Sequence, residues 1–310
     1  MLSQKTTTTL SKALRLGRAR TGVVGVDYGF VYQHDERLKK RGIRFHVAQK
    51  LPLTELPPEH VLPSELDDVR CDVVEARYSL HGNPREQCDP LQLGVSVGNV
   101  QRFTTGTMGY CVRDRYSGRP GFVSNWHVLC GSPDARASEP ISQPGPMHQG
   151  TSPARIAATV ERFTALDVGC DAALALLVPG VEQGQSLFEN GLGISGSELP
   201  RLGTHLLKFG ATSLLTHGLI DGVDGSYQVD YSAFGDTKRW IDGIRIVVDP
   251  AHPEPEISLA GDSGAAWVNP ETRKAVAMHF GGEDGLGPTA EYALALPIRR
   301  VLELLDLELA

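Results

Sequence analysis

The pattern of apolar and polar residues divides the chain into two parts. Residues 5–20 are basic and fit either a short helix or a loose segment. Strand-like runs follow at 23–32, 43–47 and 69–78. Residues 39–42 have the composition of a turn, and the Pro- and Glu-rich stretch 53–66 indicates a loop with a short helix. These patterns predict a small α/β domain that carries no recognisable chemistry.

A polar segment with two prolines, residues 79–92, predicts a linker, so the first domain with its linker covers 1–92. Short apolar runs separated by Gly and Pro turns then continue to the C-terminus, which is typical of antiparallel sandwiches or barrels. The predicted strands are 107–112, 121–124, 172–178, 205–209, 244–248, 265–268 and 275–280. Residues 131–153 predict a long surface loop. Apolar residues spaced i, i+3, i+4 and i+7 from Ile298 predict an amphipathic helix over 297–307.

Composition and charge exclude several classes of protein. With 41% hydrophobic and 22% charged residues the chain is neither disordered nor a coiled coil. A net charge of −7 gives no reason to expect nucleic acid or an anionic membrane as the main partner. The longest apolar run, 172–178, is far shorter than the ~20 residues of a membrane span.

The location expected from the sequence is the cytoplasm. The N-terminus lacks the apolar stretch of roughly 7–15 residues that marks a secretory signal, although its basic, Ser/Thr-rich start also resembles a transit peptide. Five cysteines are an odd number, which favours reduced thiols. No Cys-x-x-Cys pair occurs, so we expect no metal and no cofactor.

Three short segments carry candidate chemistry. His127 follows the run Val-Ser-Asn-Trp, Asp171 opens an apolar strand, and Ser263 lies in Gly-Asp-Ser-Gly. A serine hydroxyl becomes a nucleophile when a base accepts its proton, and His127 is suited to that role. A carboxylate fixes the tautomer of such a histidine, and Asp171 fits better than Asp167 because it directly precedes the strand. The N–H groups of Gly261 and Ser263 are the expected donors to a developing oxyanion.

The order and local sequence of these residues resemble the chymotrypsin/trypsin-like serine peptidases. The resemblance covers about 93–310 and looks closest to uncharacterised bacterial intracellular trypsin-like peptidases with an N-terminal extension. It also includes 106–112, similar to the hairpin that delivers the catalytic histidine, and a degenerate Lys-x-Gly block at 208–218. It implies a mainly β fold: two six-stranded antiparallel barrels, about 93–185 and 200–296, with a C-terminal helix and the active site between the barrels.

The chain also departs from the pattern of that family. Ala265 and Ala266 replace the usual Gly-Pro after the nucleophile, and Val128 replaces the cysteine next to the histidine. There is no convincing activation site, so Asp262 is expected to form internal hydrogen bonds that shape the oxyanion turn. By resemblance, Ile257 matches the pocket floor, which disfavours a basic residue before the scissile bond.

The string of His279, Phe280 and Gly281 resembles the pocket strand of glutamyl endopeptidases and picornaviral proteases. An imidazole N–H there would donate to the side-chain oxygen of Glu or Gln; an apolar preference and a purely structural His279 remain open.

We therefore expect a serine endopeptidase that processes specific intracellular protein or peptide substrates, with a Glu/Gln or apolar preference before the scissile bond. The N-terminal domain is expected to gate the cleft or to recruit a regulatory partner. Two alternatives stay open: a catalytically silent protease fold that serves as a binding scaffold, and an esterase or acyl transferase that uses the same triad. The degenerate 208–218 block and Ala265-Ala266 are the features that favour the scaffold alternative.

Overall fold

The computed structural model describes residues 2–33, 36–76, 78, 82–148, 155–283 and 291–310. The chain divides into two compact units, Met1–His81 and Gly82–Ala310, and each is considered by itself. The boundary lies earlier than the sequence predicted. Residues 82–92 of the expected linker belong to the second unit, because Leu91 and Gln92 pair with a strand of that unit. Residues 79–81 of that linker lie outside the described residues.

The N-terminal unit consists of one helix and a four-stranded sheet of order β1-β2-β4-β3. Its elements are α1 (Gln4–Arg18), β1 (Val23–Gln33), β2 (Glu36–Val47), β3 (Glu65–Leu66) and β4 (Val69–Glu75), with 3₁₀ turns at Leu53–Glu55 and Pro58–His60. Ser3 caps the helix through its side-chain oxygen, which accepts from Thr6 N. Ala13 of the helix belongs to the same buried cluster as Ile43 and Phe45 of the sheet.

The turn predicted at 39–42 is wrong. These residues lie within β2, where Arg41 pairs with Phe30 and Gly42 pairs with Gly29 of β1. Hydrogen bonds to the neighbouring strand stabilise the extended conformation of this segment more than its local composition favours a turn. The basic side chains of Lys39, Lys40 and Arg41 are exposed.

The first half of the C-terminal unit is a curled antiparallel sheet. Its elements are β5 (Leu91–Leu93), β6 (Ser96–Asn99), β7 (Gly106–Thr107), β8 (Cys111–Asp114), β9 (Pro120–Ser124), α2 (Trp126–Leu129), β10 (Pro140–Gln143), β11 (Arg155–Phe163), β12 (Ala173–Leu177) and β13 (Gln183–Leu187), with 3₁₀ turns at Pro146–His148 and Leu166–Val168. Strands β5 and β13 form a separate parallel pair. We call β6 to β12 the first barrel.

One bent segment connects the two sides of the first barrel. The sequence predicted a single strand at 107–112, whereas the structure has β7 and β8 with a break between them. Strand β7 pairs with β6 and β8 pairs with β9, so the segment joins the two ends of the sheet β8-β9-β12-β11-β10-β6-β7.

The loop predicted at 131–153 is wrong in part, because β10 lies within it and Ile141 is fully buried. Residues 149–153 lie outside the described residues.

The second barrel is a closed ring of six strands in the order β14-β15-β16-β19-β18-β17. Its elements are β14 (His205–Gly210), β15 (Leu214–Asp230), β16 (Lys238–Val248), β17 (Ala266–Asn269), β18 (Lys274–Gly282) and β19 (Tyr292–Pro297), with a 3₁₀ turn at Ser232–Phe234. The helix α3 (Ile298–Leu304) and the strand β20 (Leu307–Leu309) complete the chain. The predicted double-barrel fold with a C-terminal helix is confirmed.

The C-terminal helix is shorter than predicted. It ends at Leu304, and β20 continues beyond Asp306 (φ 48°) to pair with β8 of the first barrel. The chain therefore returns from the second barrel to the first. In the described part of the chain, no helix is long and apolar enough to cross a lipid bilayer.

We predict that Gly121→Ala destabilises the C-terminal unit, because a Cβ at Gly121 would lie 2.3 Å from the backbone oxygen of Ala175 on the adjacent strand. The free energy of unfolding should fall by about 1–3 kcal/mol. Gly184→Ala is the control, because its nearest neighbour would be 3.9 Å away. Urea denaturation of the full chain measures both, and equal stabilities for the two variants would contradict the prediction.

Candidate active site

His127 and Asp171 are hydrogen-bonded side chains at the edge of the first barrel. His127 Nδ1 lies 2.6 Å from Asp171 Oδ2, and the His127 backbone N–H donates to Asp171 Oδ1 at 3.2 Å. The carboxylate is fully buried, whereas the imidazole is 14% exposed. The carboxylate therefore accepts at one imidazole nitrogen and leaves Nε2 for another group.

Two adjacent strands bring these residues together. Strand β9 leads into α2, which carries His127, and Asp171 lies just before β12. Ala173 of β12 pairs with Ser124 of β9, and Asn125 Nδ2 donates to the backbone oxygen of Asp171 at 2.9 Å. The rival carboxylate, Asp167, is exposed in the preceding 3₁₀ turn.

Ser263 lies in a sharp turn before β17 of the second barrel. Gly261 and Gly264 have φ angles of 101° and 98°, which favour glycine. A Cβ at Gly264 would lie 2.2 Å from the backbone oxygen of Thr107, so the turn seats directly against the first barrel. The backbone N–H of Thr107 also donates to the oxygen of Ser263 at 2.8 Å.

Two backbone N–H groups of the turn have no hydrogen-bond acceptor among the described residues. Asp262 N bonds Leu259 O and Gly264 N bonds His279 O, whereas the N–H groups of Gly261 and Ser263 donate to no residue within the described ranges. Ser263 itself is partly exposed. Two unpaired N–H groups that flank an accessible serine are what an oxyanion site requires.

The Ser263 turn and the His127 helix meet at Gly106. A Cβ on Gly106 would lie 2.5 Å from Val128, next to His127, and 2.8 Å from the backbone oxygen of Ser263. Among the described residues, no hydrogen bond joins the Ser263 side chain to His127. In unliganded sites such bonds are often long and tighten when substrate binds.

Asp262 is buried beside Ser263 and is bound from three sides. Lys208 Nζ donates to its Oδ2 at 3.0 Å, and neither side chain is exposed. The backbone N–H groups of Thr212 and Ser213 both donate to Oδ1 at 3.0 Å. Burial alone raises the pKa of Asp262, but the Lys208 ammonium and hydrogen bonds from the Ser213 side chain and the Leu259 backbone outweigh burial and hold the pKa well below its usual value.

These contacts confirm the expectation of internal hydrogen bonds for Asp262 and explain the Lys-x-Gly block. Lys208 supplies the cation, and Gly210 leaves room for the carboxylate, because a Cβ there would lie 2.2 Å from Asp262 Oδ1. The sequence showed the Lys-x-Gly block, but it did not show that Asp262 is the partner of Lys208.

The residues expected to read the substrate lie in and next to the second-barrel core. Ile257 is fully buried in the cluster that includes Trp267, and Phe280 is also buried. Gly281 is partly exposed, with no atom within 4 Å of a Cβ built on it. His279 is 3% exposed, and its Nδ1 is buried with no hydrogen-bond partner among the described residues.

His279 is an uncharged imidazole at neutral pH. Burial and the nearby Lys208 ammonium lower its pKa to about 3. Its backbone oxygen accepts from Gly264 N at 2.8 Å, so it lies on the strand that supports the Ser263 turn.

Sequence reasoning missed two residues that contact the His127–Asp171 pair. Tyr231 OH donates to Asp171 Oδ2 at 2.8 Å, and the Phe234 ring lies 5.4 Å from the His127 ring. Both come from the turn between β15 and β16. The sequence did not predict that long hairpin, because the glycines and aspartates at 221–225 are typical of loops.

All five cysteines are free thiols. Burial raises the pKa of Cys111 to about 12, which keeps it protonated. Within the described ranges, no group of three or more His, Cys, Asp or Glu side chains is arranged to hold a metal ion.

Comparison with known proteins identifies the fold. A Nocardiopsis protease and Thermobifida fusca protease A each superpose with a TM-score of 0.51, at 18% identity, over 72% of this chain and 99% of theirs. A glutamic acid-specific serine protease, described as using a histidine triad in substrate binding, superposes with a TM-score of 0.50 at 18% identity, over 71% of this chain and 100% of its own. The chain therefore has the chymotrypsin-like serine protease fold.

No protein-family profile matches the sequence, and no curated protein matches it either.

We predict that Lys208→Met lowers the free energy of unfolding by about 3–5 kcal/mol, because it leaves a buried carboxylate unpaired. Arg115→Met is the control, since the Arg115–Asp306 pair is exposed (56% and 67%) and should contribute no more than about 1 kcal/mol. Chemical denaturation at pH 7 measures both.

The pH dependence of this loss has a defined sign. Because the pKa of Asp262 is held low in the folded protein, its pairing stabilises the fold above the usual aspartate pKa and is lost as the pH falls. The difference between wild type and Lys208→Met should therefore narrow as the pH falls below about 4, the usual aspartate pKa. A difference that grows on acidification would contradict this assignment.

Proposed function

We propose that this protein is a serine endopeptidase in which Ser263 is the nucleophile, His127 the general base and Asp171 the carboxylate that orients His127. The observation that carries the proposal is the 2.6 Å contact between His127 Nδ1 and Asp171 Oδ2 next to an accessible serine turn. The unpaired N–H groups of Gly261 and Ser263 support the same assignment.

The proposed reaction has two stages. Ser263 Oγ attacks the peptide carbonyl carbon while His127 Nε2 accepts the hydroxyl proton, and the carbonyl oxygen becomes an oxyanion held by the N–H groups of Gly261 and Ser263. The imidazolium then gives its proton to the leaving amine, and an acyl-enzyme remains. Water, deprotonated by His127, attacks the ester; the acid is released, and His127 returns the proton to Ser263 Oγ. Each of these steps is general to triads of serine, histidine and aspartate.

We further propose a role in limited processing of protein substrates inside the cell, with the N-terminal unit restraining the site or recruiting a partner. Only its position in the chain and the free thiols support this part. The labelling experiment below tests whether the N-terminal unit restrains the site.

We predict that a fluorophosphonate probe modifies the full chain once, at Ser263. Ser263→Ala and His127→Ala should both abolish the adduct, and hydrolysis of peptides should fall by roughly 10⁴–10⁶ in each. Intact mass and peptide mapping locate the adduct.

The controls separate the alternatives. Ser258→Ala, five residues before Ser263 in the same connection, should label like wild type. An adduct that forms only on the chain beginning at Gly82 would indicate a latent enzyme restrained by the N-terminal unit. No adduct on either chain would contradict the proposed activity and leave the scaffold alternative.

We propose that His279 selects glutamine over glutamate before the scissile bond. A neutral imidazole N–H can donate to an amide oxygen, whereas a carboxylate buried beside it would lack a balancing charge. The glutamic acid-specific protease of the same fold uses histidines in substrate binding, but here the ring near His279 is that of Trp267, with centroids 6.5 Å apart.

We predict that, among peptides differing only in the residue before the cleaved bond, Gln is cleaved with a kcat/KM about tenfold above Leu or Glu and further above Lys. His279→Leu should bring Gln and Leu to similar values, because the donor is lost. His252→Leu is the control, since His252 is exposed and pairs with Asp249. A Leu preference that His279→Leu leaves unchanged would contradict the assignment.

A further inference from the structure

The hairpin formed by β15 and β16 extends beyond the second barrel. Residues 244–247 of β16 pair with β19, but the outer part, 238–242, pairs only with β15. A two-stranded ribbon is marginally stable by itself, so its position depends on what its tip and root contact.

The tip of this hairpin packs on the His127–Asp171 pair. Tyr231 is 2% exposed, and its ring lies 6.2 Å from Trp126 in an edge-to-face arrangement and 6.3 Å from His127. The Phe234 ring covers the imidazole at 5.4 Å. The tip thus contacts the histidine-bearing helix and the aspartate together.

The hairpin is also held to the segment that leads to Asp171. Asp242 N donates to the oxygen of Gly169 at 2.9 Å, and Arg300 Nη2 pairs with Asp242 Oδ2 at 2.9 Å. Arg300 Nη2 also donates to the oxygen of Val168 at 2.7 Å. A Cβ at Gly169 would lie 2.7 Å from the Asp242 carboxylate, so the two segments are in direct contact.

The Tyr231 hydroxyl binds the same carboxylate oxygen as the imidazole. Asp171 Oδ2 accepts from Tyr231 OH at 2.8 Å and from His127 Nδ1 at 2.6 Å, while Oδ1 accepts from the His127 backbone. A hydrogen bond to a carboxylate fixes its orientation and draws charge from the oxygen that receives it.

We propose that Tyr231 is a positioning residue that orients Asp171 and weakens its pull on the imidazolium of His127. The proposal rests on the proposed function and deepens it: one barrel supplies the histidine and the aspartate, and a hairpin of the other sets their geometry. The hydroxyl remains a donor at all relevant pH values, because burial and the Asp171 carboxylate raise the pKa of Tyr231 well above its usual value.

The groups facing this pair hold a constant charge around neutral pH. Burial raises the pKa of Cys170 to about 12 and that of Cys130 still further. His279 on β18 has its pKa lowered to about 3, and on the hairpin the hydrogen bond from Arg239 lowers the pKa of Asp236. A change in the acid limb of the rate profile therefore reports on His127 and Asp171.

The test is Tyr231→Phe in the full chain, with Tyr227→Phe as the matched control. Tyr227 lies on the same hairpin, and its hydroxyl makes no hydrogen bond to any described residue. We expect Tyr231→Phe to lower kcat about tenfold at pH 7 with KM nearly unchanged, and to move the acid limb of kcat/KM upward by about 0.5 pH unit. The upward direction follows because Asp171 Oδ2, without the hydroxyl, stabilises the imidazolium more strongly.

Tyr227→Phe should match wild type. A Tyr231→Phe profile that superposes on wild type, or that falls equally at every pH with an unmoved limb, would overturn the proposal.

A second measurement keeps this test separate from that of the proposed function. NMR titration of the His127 ring in the Ser263→Ala background needs no catalysis. Its midpoint should rise when Tyr231→Phe is added and stay unchanged with Tyr227→Phe. If wild type proves inactive but the midpoint moves, the peptidase proposal fails and the positioning of Asp171 by Tyr231 stands. An unmoved midpoint overturns the positioning role whatever the activity.

Discussion

The buried carboxylate of Asp262 constrains the geometry of the whole candidate site. It adjoins Ser263, and the Lys208 ammonium and the N–H groups of Thr212 and Ser213 hold it in place. An unpaired charge in this position would be strongly destabilising, so the turn is held in the conformation that keeps these bonds. In that conformation the N–H groups of Gly261 and Ser263 have no described acceptor. The bonds that hold Asp262 in place thus also keep the N–H groups of Gly261 and Ser263 available to an incoming acceptor.

Docking of the two barrels completes the arrangement. Thr107 of the first barrel bonds the Ser263 backbone, and Tyr110 OH lies within hydrogen-bond distance of the backbone oxygens of Trp267 and Ala277 in the second barrel. In the opposite direction, Tyr231 of the second barrel bonds Asp171. The candidate site is therefore a property of the interface between the barrels, and a small displacement of either barrel would separate its groups.

Strands with strong local signals were predictable, and strands formed by distant partners were not. The apolar run at 172–178 contains β12, and the run at 275–280 lies within β18. By contrast, β15 covers Leu214–Asp230 despite its glycines, because β14 pairs with its first part and β16 pairs with the remainder. Strand β20 is three residues long and exists because β8 offers it an open edge.

The sequence by itself determined which three residues are the catalytic candidates and, through the resemblance to serine peptidases, predicted their division between the two barrels. His127, Asp171 and Ser263 each lie in a short local pattern, and such patterns depend only on neighbouring residues. Tertiary structure alone decided that Lys208 pairs with Asp262 and that Tyr231 bonds Asp171. These partners are separated by 54 and 60 residues along the chain. No periodicity or spacing encodes such contacts, because they arise only when the curvature and packing of two barrels fix where distant side chains point.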